Sequence, residues 1–253
     1  IGPYPYAKFA LAENFWETGY GMPSFTLLGP QVIRLPFIIR TSYPHEVLHN
    51  WWGNGVYVDY EHGNWSEGLT AYLADHLMKE REGLGAEYRR DALKAYGDYV
   101  SGAADFPLTD FRARHGTASQ AIGYGKSAMV FHMLRRRLGD ETFLAGLGRF
   151  YQNNRFRAAS WADLGAAFES VSGQDLSDDF DAWTTRKGAP RLGLSAVRAF
   201  PSGDGFRVTG RLEQTQPGAP FPLHVPLVIH PEQAPPVTLR VDLSEGSATF
   251  ALD

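Results

Sequence analysis

The segment HEVLH, residues 45–49, places two imidazoles and one carboxylate at a spacing suited to metal chemistry. On an α-helix, residues four apart differ by about 40° in azimuth and about 6 Å in height. His45 and His49 therefore project from one face and can bind one Zn²⁺. Glu46 lies about 100° further round the helix, beside the metal rather than on it. A carboxylate there can take a proton from an activated water, so the spacing favours metal-assisted hydrolysis.

The alternative is a core helix that happens to carry partly buried histidines. An HExxH arrangement arises by chance in roughly one such sequence in a hundred. A catalytic zinc usually has three protein ligands, so a third is needed. Glu67 stands in the first turn of a second predicted helix, in the segment NWSEGLTAYLADH. Alone it could be a glutamate favoured by the helix dipole, but together with HExxH it is the expected third ligand.

Composition excludes several other classes of function. The chain has 253 residues and a formal net charge of −4, which gives no basic surface for nucleic acid or anionic membrane. Apolar runs such as LPFII fall well short of the roughly 20 residues that span a bilayer. With no cysteine, thiolate ligands and a cysteine nucleophile are excluded. Neither nucleic acid nor membrane is an expected partner, and we expect a cytoplasmic location, although absence of cysteine fits either side of a membrane.

Local patterns place the candidate residues on helices. Residues 1 to about 30 lack a helical stripe and are interrupted by Gly and Pro, which predicts extended structure. Ser160 and Asp163 form a capping box, and Gly139 and Gly173 stand where helices end. The predicted helices are 42–53, 66–82, 86–100, 119–138, 140–153, 160–171 and 176–187.

The pattern changes near residue 190. From 191 onward, short runs such as FRVTGRLEQ and VTLRVDL are separated by turns rich in Pro and Gly. This pattern predicts a small antiparallel β unit resembling half of a sandwich. We therefore expect one domain over residues 1–190 and a second over 191–253.

The motifs HEVLHNWWGN and NWSEGLTAYL resemble the zinc signature of the aminopeptidase N (alanyl aminopeptidase) family of gluzincins. GYGKSAMVFHML resembles the family helix that carries a catalytic tyrosine, which would be Tyr124, and DAWTTRKGAPRL resembles the exit from its helical region. The resemblance covers roughly residues 5–253. It implies an α+β fold, namely a mainly helical, thermolysin-like catalytic domain over 1–190 followed by a β-sandwich domain over 191–253.

The resemblance further implies a zinc aminopeptidase with one Zn²⁺ per chain and a peptide substrate. His45, His49 and Glu67 would hold the metal. Glu46 would be the general base, and the Tyr124 hydroxyl would stabilise the oxyanion. Tyr124 is selected by the resemblance alone, since any of the 12 tyrosines could be a core aromatic.

Three features depart from the family pattern. Seventeen residues separate His49 from Glu67, where the family usually has eighteen. Pro44 requires the helix to begin near Ser42, with proline in its first turn, or to kink there. The family segment G-x-M-E-N, whose glutamate holds the substrate amine, corresponds here to TGYGMPSF and lacks that glutamate.

An amine anchor must then come from another acidic residue. Glu13 and Glu17 precede the glycine-rich segment and would share one face of a regular strand, and we favour Glu17 because it lies closer. Gly19, Gly21 and Met22 would let the backbone approach the substrate and pair with it as an added strand.

Two further expectations concern the surroundings of the metal. Metal-binding histidines usually donate their second N–H to a carboxylate or carbonyl. A regular helix offers only Ala71 and Ala74 one and two turns after Glu67, so that partner must come from elsewhere. We expect His76, on the far side of this helix, to be structural or exposed.

Alternative functions remain open at this point. They are another zinc hydrolase on the same scaffold, such as an endopeptidase or an epoxide hydrolase, and a non-catalytic scaffold protein. The intact ligands and Glu46 disfavour the scaffold, which needs no base beside a metal. The family also places further strands and a β-rich domain before this region, so we expect a separate N-terminal segment of the same protein to act as a partner.

Overall fold

Helices and strands are mixed along the chain, which gives an α+β fold. This description rests on a computed structural model that covers residues 1–203, 205–232 and 234–253. The chain divides into two compact units, Ile1–Lys187 and Gly188–Asp253. No helix in these described ranges has both the length and the apolar character needed to cross a bilayer.

Helices dominate the first unit. They are α1 Ser42–Leu48, α2 Ser66–Ala71, α3 Leu77–Arg81, α4 Gly85–Tyr99, α5 Thr117–Gln120, α6 Ser127–Leu138, α7 Asp140–Asn154, α8 Trp161–Ser172 and α9 Ser177–Thr184. Two π turns, Tyr72–His76 and Ala121–Lys126, connect α2 to α3 and α5 to α6 within continuous helical segments. The predicted capping box is confirmed, since Asp163 accepts from the Ser160 backbone N–H at 2.8 Å. Gly173 ends α8 in the left-handed conformation, with φ 66°.

Helix α1 is shorter than the predicted range 42–53. It begins at Ser42, which places Pro44 in the first turn, where a missing N–H costs nothing. It ends at Leu48, with His49 as a C-cap that keeps right-handed helical dihedral angles. The chain then turns through Trp52 and Gly53, whose φ of 107° favours glycine. His49 is therefore still one helical turn after His45.

A small sheet packs beside α1. Its strands are β1 Ala10–Glu13, β2 Gly19–Met22 and β3 Phe25–Leu28, in the order β1-β3-β2. β1 runs parallel to β3, and β2 runs antiparallel to it through a tight hairpin. Buried Asn50 ties this hairpin to the end of α1, because its Oδ1 accepts from the Ser24 backbone N–H at 3.0 Å.

An aromatic core holds the loop between α1 and α2. Trp52 and Trp65 are fully buried, and both contact Phe150 of α7. The indole N–H of Trp65 donates to the Ala159 carbonyl at 2.6 Å. Ala159 belongs to strand β5, Ala158–Ala159, which pairs in parallel with β4, Tyr57–Val58. Burying a ring the size of Phe contributes about 1.5–3 kcal/mol, so this core fixes the start of α2.

The second unit is made of antiparallel strands. They are β6 Leu192–Ser202, β7 Gly205–Gln214, β8 Leu223–Ile229, β9 Val237–Leu243 and β10 Ser247–Leu252. One sheet has the order β10-β7-β6, with a register shift between Ser195 and Arg198, and β8 pairs with β9 in another. Inward-facing residues such as Leu212, Leu243 and Phe250 are buried.

Candidate metal centre

His45, His49 and Glu67 lie together, each offering one ligand atom, with all three atoms within 4.8 Å of one another. The histidines come from α1 and its C-cap, and the glutamate comes from the first turn of α2. The group is able to bind a metal ion. The seventeen-residue spacing therefore still brings the third residue to the pair.

The geometry of the group fits a small tetrahedral cation. Glu67 Oε2 lies 3.4 Å from His45 Nε2 and 3.4 Å from His49 Nε2. Ligand atoms about 2.0–2.1 Å from a tetrahedral zinc are about 3.3–3.4 Å apart. Glu67 Oε2 is also buried and has no hydrogen-bond partner among the described residues. A buried carboxylate oxygen without a partner is costly, and a bound cation would satisfy it.

The second nitrogen of each ring is held by a separate group. His49 Nδ1 lies 2.9 Å from the Trp52 carbonyl oxygen, which can only accept, so Nδ1 carries the proton. His45 Nδ1 lies 3.2 Å from Asp75 Oδ2, where the carboxylate also acts as acceptor. Both rings then present an Nε2 lone pair to the position between them and Glu67.

Asp75 reaches His45 because its helix contains a π turn. In a regular helix the residues above Glu67 would be Ala71 and Ala74, so the sequence gives no reason to choose Asp75 from this helix. The π turn Tyr72–His76 adds one residue to the spiral and shifts the following side chains. Asp75, eight residues after Glu67, therefore lies where the seventh residue would lie in a regular helix. The expectation that the partner comes from elsewhere is therefore wrong for His45, whose partner lies on the same helical segment, and confirmed for His49, whose partner is the Trp52 carbonyl.

Charge at the group favours a cation. Burial acts to lower the pKa of His45, but contacts with Asp75 and Glu67 outweigh it and raise the pKa to about 10. Burial acts in turn to raise the pKa of Glu67, yet the two imidazoles hold it well below its usual range. A positive charge between these groups is therefore stabilised, and either a proton or a metal ion can supply it.

Glu46 lies between α1 and β2. A Cβ on Gly19 would lie 2.7 Å from Glu46 Oε1, and one on Gly21 would lie 2.5 Å from His49 Cβ and 3.0 Å from the Glu46 carbonyl oxygen. Both glycines are thus needed for β2 to approach the helix. Burial raises the pKa of the Glu46 carboxyl, although the histidines and the backbone N–H of Gly21 act in the opposite direction.

Tyr124 lies in the second π turn and faces the metal-binding group. Its ring stacks on His45, with centroids 6.2 Å apart and an interplanar angle of 16°. The Phe111 ring packs edge-on against it and fits closely over Gly123, where a Cβ would lie 2.1 Å from the ring. Burial raises the pKa of the Tyr124 hydroxyl well above its usual range, and the Glu67 carboxylate adds to this effect. The hydroxyl therefore stays protonated and able to donate.

The proposed amine-binding residues have partners within the protein. The Glu17 carboxylate accepts from the backbone N–H groups of Gln31 and Val32 at 3.0–3.3 Å. Glu13 ends β1 and pairs with Arg34 at 2.7 Å. The chain bends after β1, so these glutamates do not share one regular strand. Met22 ends β2 opposite Phe25 and is half-buried.

Two contributors were missed in the sequence. Asp75 and the Trp52 carbonyl hold the histidines, and neither a π turn nor a backbone acceptor leaves a spacing signal. The Tyr60 side chain is more than half exposed, but partial desolvation of its hydroxyl and the charge of Glu67 both raise its pKa. His76 is buried at 1% exposure, which agrees with a structural role and excludes an exposed one.

The chain is similar to known proteins over most of its length. Residues 39–183 match the protein family described as "Peptidase family M1 domain". Alanine/arginine aminopeptidase of Saccharomyces cerevisiae is 25% identical over 98% of this chain and 31% of the relative. Aminopeptidase 2, mitochondrial, of the same yeast is 27% identical over 60% of this chain and 17% of its own length. Aminopeptidase N of Lactococcus lactis is 26% identical over 60% of this chain and 19% of its own length. The chain thus spans 17–31% of these relatives.

Proposed function

Because the chain belongs to peptidase family M1, we propose that it is the metal-binding part of a zinc-dependent aminopeptidase that hydrolyses the N-terminal peptide bond of peptides. Membership of this family, together with the similarity to aminopeptidase N of Lactococcus lactis, confirms the resemblance seen in the sequence motifs. The observation that carries the proposal is the His45–His49–Glu67 group, in which both histidines are held by their second nitrogen. One Zn²⁺ per chain is proposed to bind there, since two imidazoles and a carboxylate are a common catalytic zinc set.

Each neighbouring residue then has a distinct task. When bound, zinc supplies a Lewis acid that activates water and polarises the scissile carbonyl. Glu46 accepts the proton of the attacking water and returns it to the leaving amine, a step for which its raised pKa suits it. The Tyr124 hydroxyl donates a hydrogen bond to the carbonyl oxygen as that oxygen gains charge.

The free edge of β2 suits an extended peptide. In the sheet order β1-β3-β2, one edge of β2 has no partner strand among the described residues. Gly21 uses its outward carbonyl to accept from Asn54 Nδ2 at 3.0 Å. Alternate residues of a strand present their backbone groups to the same edge, so Gly19 faces outward as well. A substrate can therefore pair with the outward backbone groups of Gly19 beside Glu46, while Met22 and Gly21, whose outward carbonyl is taken by Asn54, lie next to it.

The choice between aminopeptidase and endopeptidase depends on the substrate amine. We expect the protein to cleave a short peptide with a free N-terminus at least roughly tenfold faster than its N-acetylated form. An anchoring carboxylate left without its partner costs about 1–3 kcal/mol. Glu17→Gln is expected to reduce this preference, because Glu17 lies two residues before β2, and Glu13→Gln is expected to reduce it less, because the Glu13 carboxylate pairs with Arg34. The measurement is kcat/KM on both peptides for the three proteins.

Two outcomes would change the proposal. If neither substitution alters the preference, the amine anchor lies elsewhere. If the wild-type protein cleaves both peptides equally well, the endopeptidase alternative replaces the aminopeptidase.

We also propose the finer fold and its partner. Residues 1–190 would form a thermolysin-like catalytic domain, and 191–253 a β-sandwich domain. A separate N-terminal segment of the same protein would cover the outer edge of β1 and exposed apolar side chains of the first unit. These side chains include Phe15, Trp16, Phe37 and Ile39, which are 53–76% exposed. The support is this uncovered surface, since a bare strand edge favours aggregation, together with the greater length of the relatives.

A further inference from the structure

The π turn Tyr72–His76 contributes to a buried and half-buried group that we name the histidine cluster: Tyr72, His76, Tyr88, Arg89 and His132. Tyr72 and His76 stack with centroids 4.9 Å apart and an interplanar angle of 15°. The His76 ring lies 5.4 Å from that of His132 and 5.6 Å from that of Tyr88. The cluster joins the π turn to α4 and α6.

Hydrogen bonds within the cluster fix the state of His76. Arg89 Nη1 lies 2.8 Å from His76 Nε2, and because a guanidinium only donates, Nε2 must accept. His76 is 1% exposed, and burial lowers its pKa, so the ring is neutral with its hydrogen on Nδ1. Tyr72 Oη lies 3.2 Å from Nδ1 of His132, whose pKa burial lowers to about 3.

The cluster therefore holds both ends of the π turn. Tyr72 begins the turn and His76 ends it, and each is held by a different neighbouring residue, His132 and Arg89 respectively. Tyr72 Oη also lies 3.4 Å from Arg135, which pairs with Glu80 of α3 at 2.7 Å. A π turn is less favourable than a regular helix and persists where surrounding contacts fix it.

The same turn carries Asp75 to His45. If the turn reverted to a regular helix, the added residue would be lost from the spiral and Asp75 would rotate by about 100° away from its present face. His45 Nδ1 would then lose its acceptor at 3.2 Å. The contact between His76 and Arg89 thus affects the metal-binding group indirectly, through the position of Asp75.

We propose that His76, held by Arg89, is a positioning residue for the metal centre: it fixes the π turn that places Asp75 on His45. This inference rests on the proposed metal site. It assigns a role to a histidine that neither binds the metal nor contacts substrate, and its effect reaches the centre through Asp75.

Zinc affinity of the purified chain tests this role without reference to activity. Loss of a group that supports a metal ligand typically lowers affinity about 10–100-fold, and we expect that range for Asp75→Asn. His76→Phe keeps a ring but removes the acceptor, and we expect about tenfold weaker binding in competition with a chromogenic chelator. His76→Gln, whose amide oxygen can accept from Arg89, should retain most of the affinity.

A double substitution separates positioning from general destabilisation. If His76 acts through Asp75, the variant carrying both Asp75→Asn and His76→Phe binds zinc as tightly as Asp75→Asn alone. Phe131→Leu is the matched control, since this buried ring packs on Trp161 instead and should change stability but not zinc affinity. Arg89→Met gives a second test should His76→Phe fail to fold, with several-fold weaker binding expected.

The results distinguish failure of the inference from failure of the metal site. Wild-type affinity in His76→Phe or Arg89→Met, or losses that multiply in the double variant, would overturn the role of His76 while the metal site stands. A wild-type protein that binds no zinc would instead remove the proposed function.

Discussion

Replacing Glu46 by glutamine is expected to lower kcat by about 10²–10⁴-fold, the usual contribution of a positioned general base. Zinc content and peptide affinity should stay close to those of the wild type. The reason is geometric: Glu46 faces β2 and is not a member of the group formed by His45, His49 and Glu67. The substituted amide fits the same space beside Gly19 but cannot accept a proton. Steady-state kinetics on a peptide with a free N-terminus gives kcat and KM, and metal analysis of the same sample gives the zinc content.

A second glutamate supplies the control for this experiment. Glu61 lies in the exposed turn Tyr60–His62 before α2, and Glu61→Gln should leave kcat unchanged. Loss of zinc from Glu46→Gln would show that Glu46 supports coordination rather than proton transfer, and the assigned roles would then be wrong.

Replacing Tyr124 by phenylalanine is expected to lower kcat by about 10²–10³-fold with little change in KM. Removal of a single oxyanion donor has an effect of this size. The hydroxyl acts only where the carbonyl oxygen gains charge, so it should contribute to the transition state and not to the bound substrate. The ring would keep its stacking on His45 and its contact with Phe111, so folding stability should change little.

Tyr60 is the matched control for Tyr124. Its hydroxyl also lies in the field of Glu67, but the side chain is 55% exposed and belongs to a different turn. Tyr60→Phe should therefore cost far less than Tyr124→Phe. A larger loss for Tyr60→Phe would move the donor to that residue. A Tyr124→Phe protein that loses stability in proportion to its activity would indicate a core aromatic only.

Helical periodicity was sufficient to pair the two histidines of the metal-binding group. Residues four apart share a face of any helix, so His45 and His49 were predictable as a pair. Glu67 was predictable only together with HExxH, because a glutamate in the first turn of a helix is common on its own. The ends of α8 were predictable for a similar reason, since Ser160, Asp163 and Gly173 act through local backbone geometry.

The residues that orient the ligands could not be predicted in the same way. Asp75 is the eighth residue after Glu67 and would lie about 80° round a regular helix from it. The π turn contacts α4 and α6 through His76, and these tertiary contacts leave no local pattern. Similarly, the acceptor for His49 is the backbone carbonyl of Trp52, which any residue type would provide.

The sequence pointed to the glycine-rich segment, and the structure adds a second reason for its glycines. The sequence suggested that Gly19 and Gly21 let the backbone approach a substrate. The structure shows that they first let β2 approach α1, where a side chain at position 21 would overlap His49. Close packing between elements that are distant in sequence, here β2 and α1, cannot be predicted until the position of both elements is known. The contacts of Glu13 with Arg34 and of Glu17 with Gln31 could not be predicted for the same reason.

The zinc content of the purified protein tests the central claim most directly. Mass-spectrometric metal analysis should find one zinc per chain, held by His45, His49 and Glu67. Glu67→Ala should reduce that content sharply, while Glu61→Ala should not. A wild-type protein that contains no zinc, even after incubation with zinc and removal of the excess, would contradict the account.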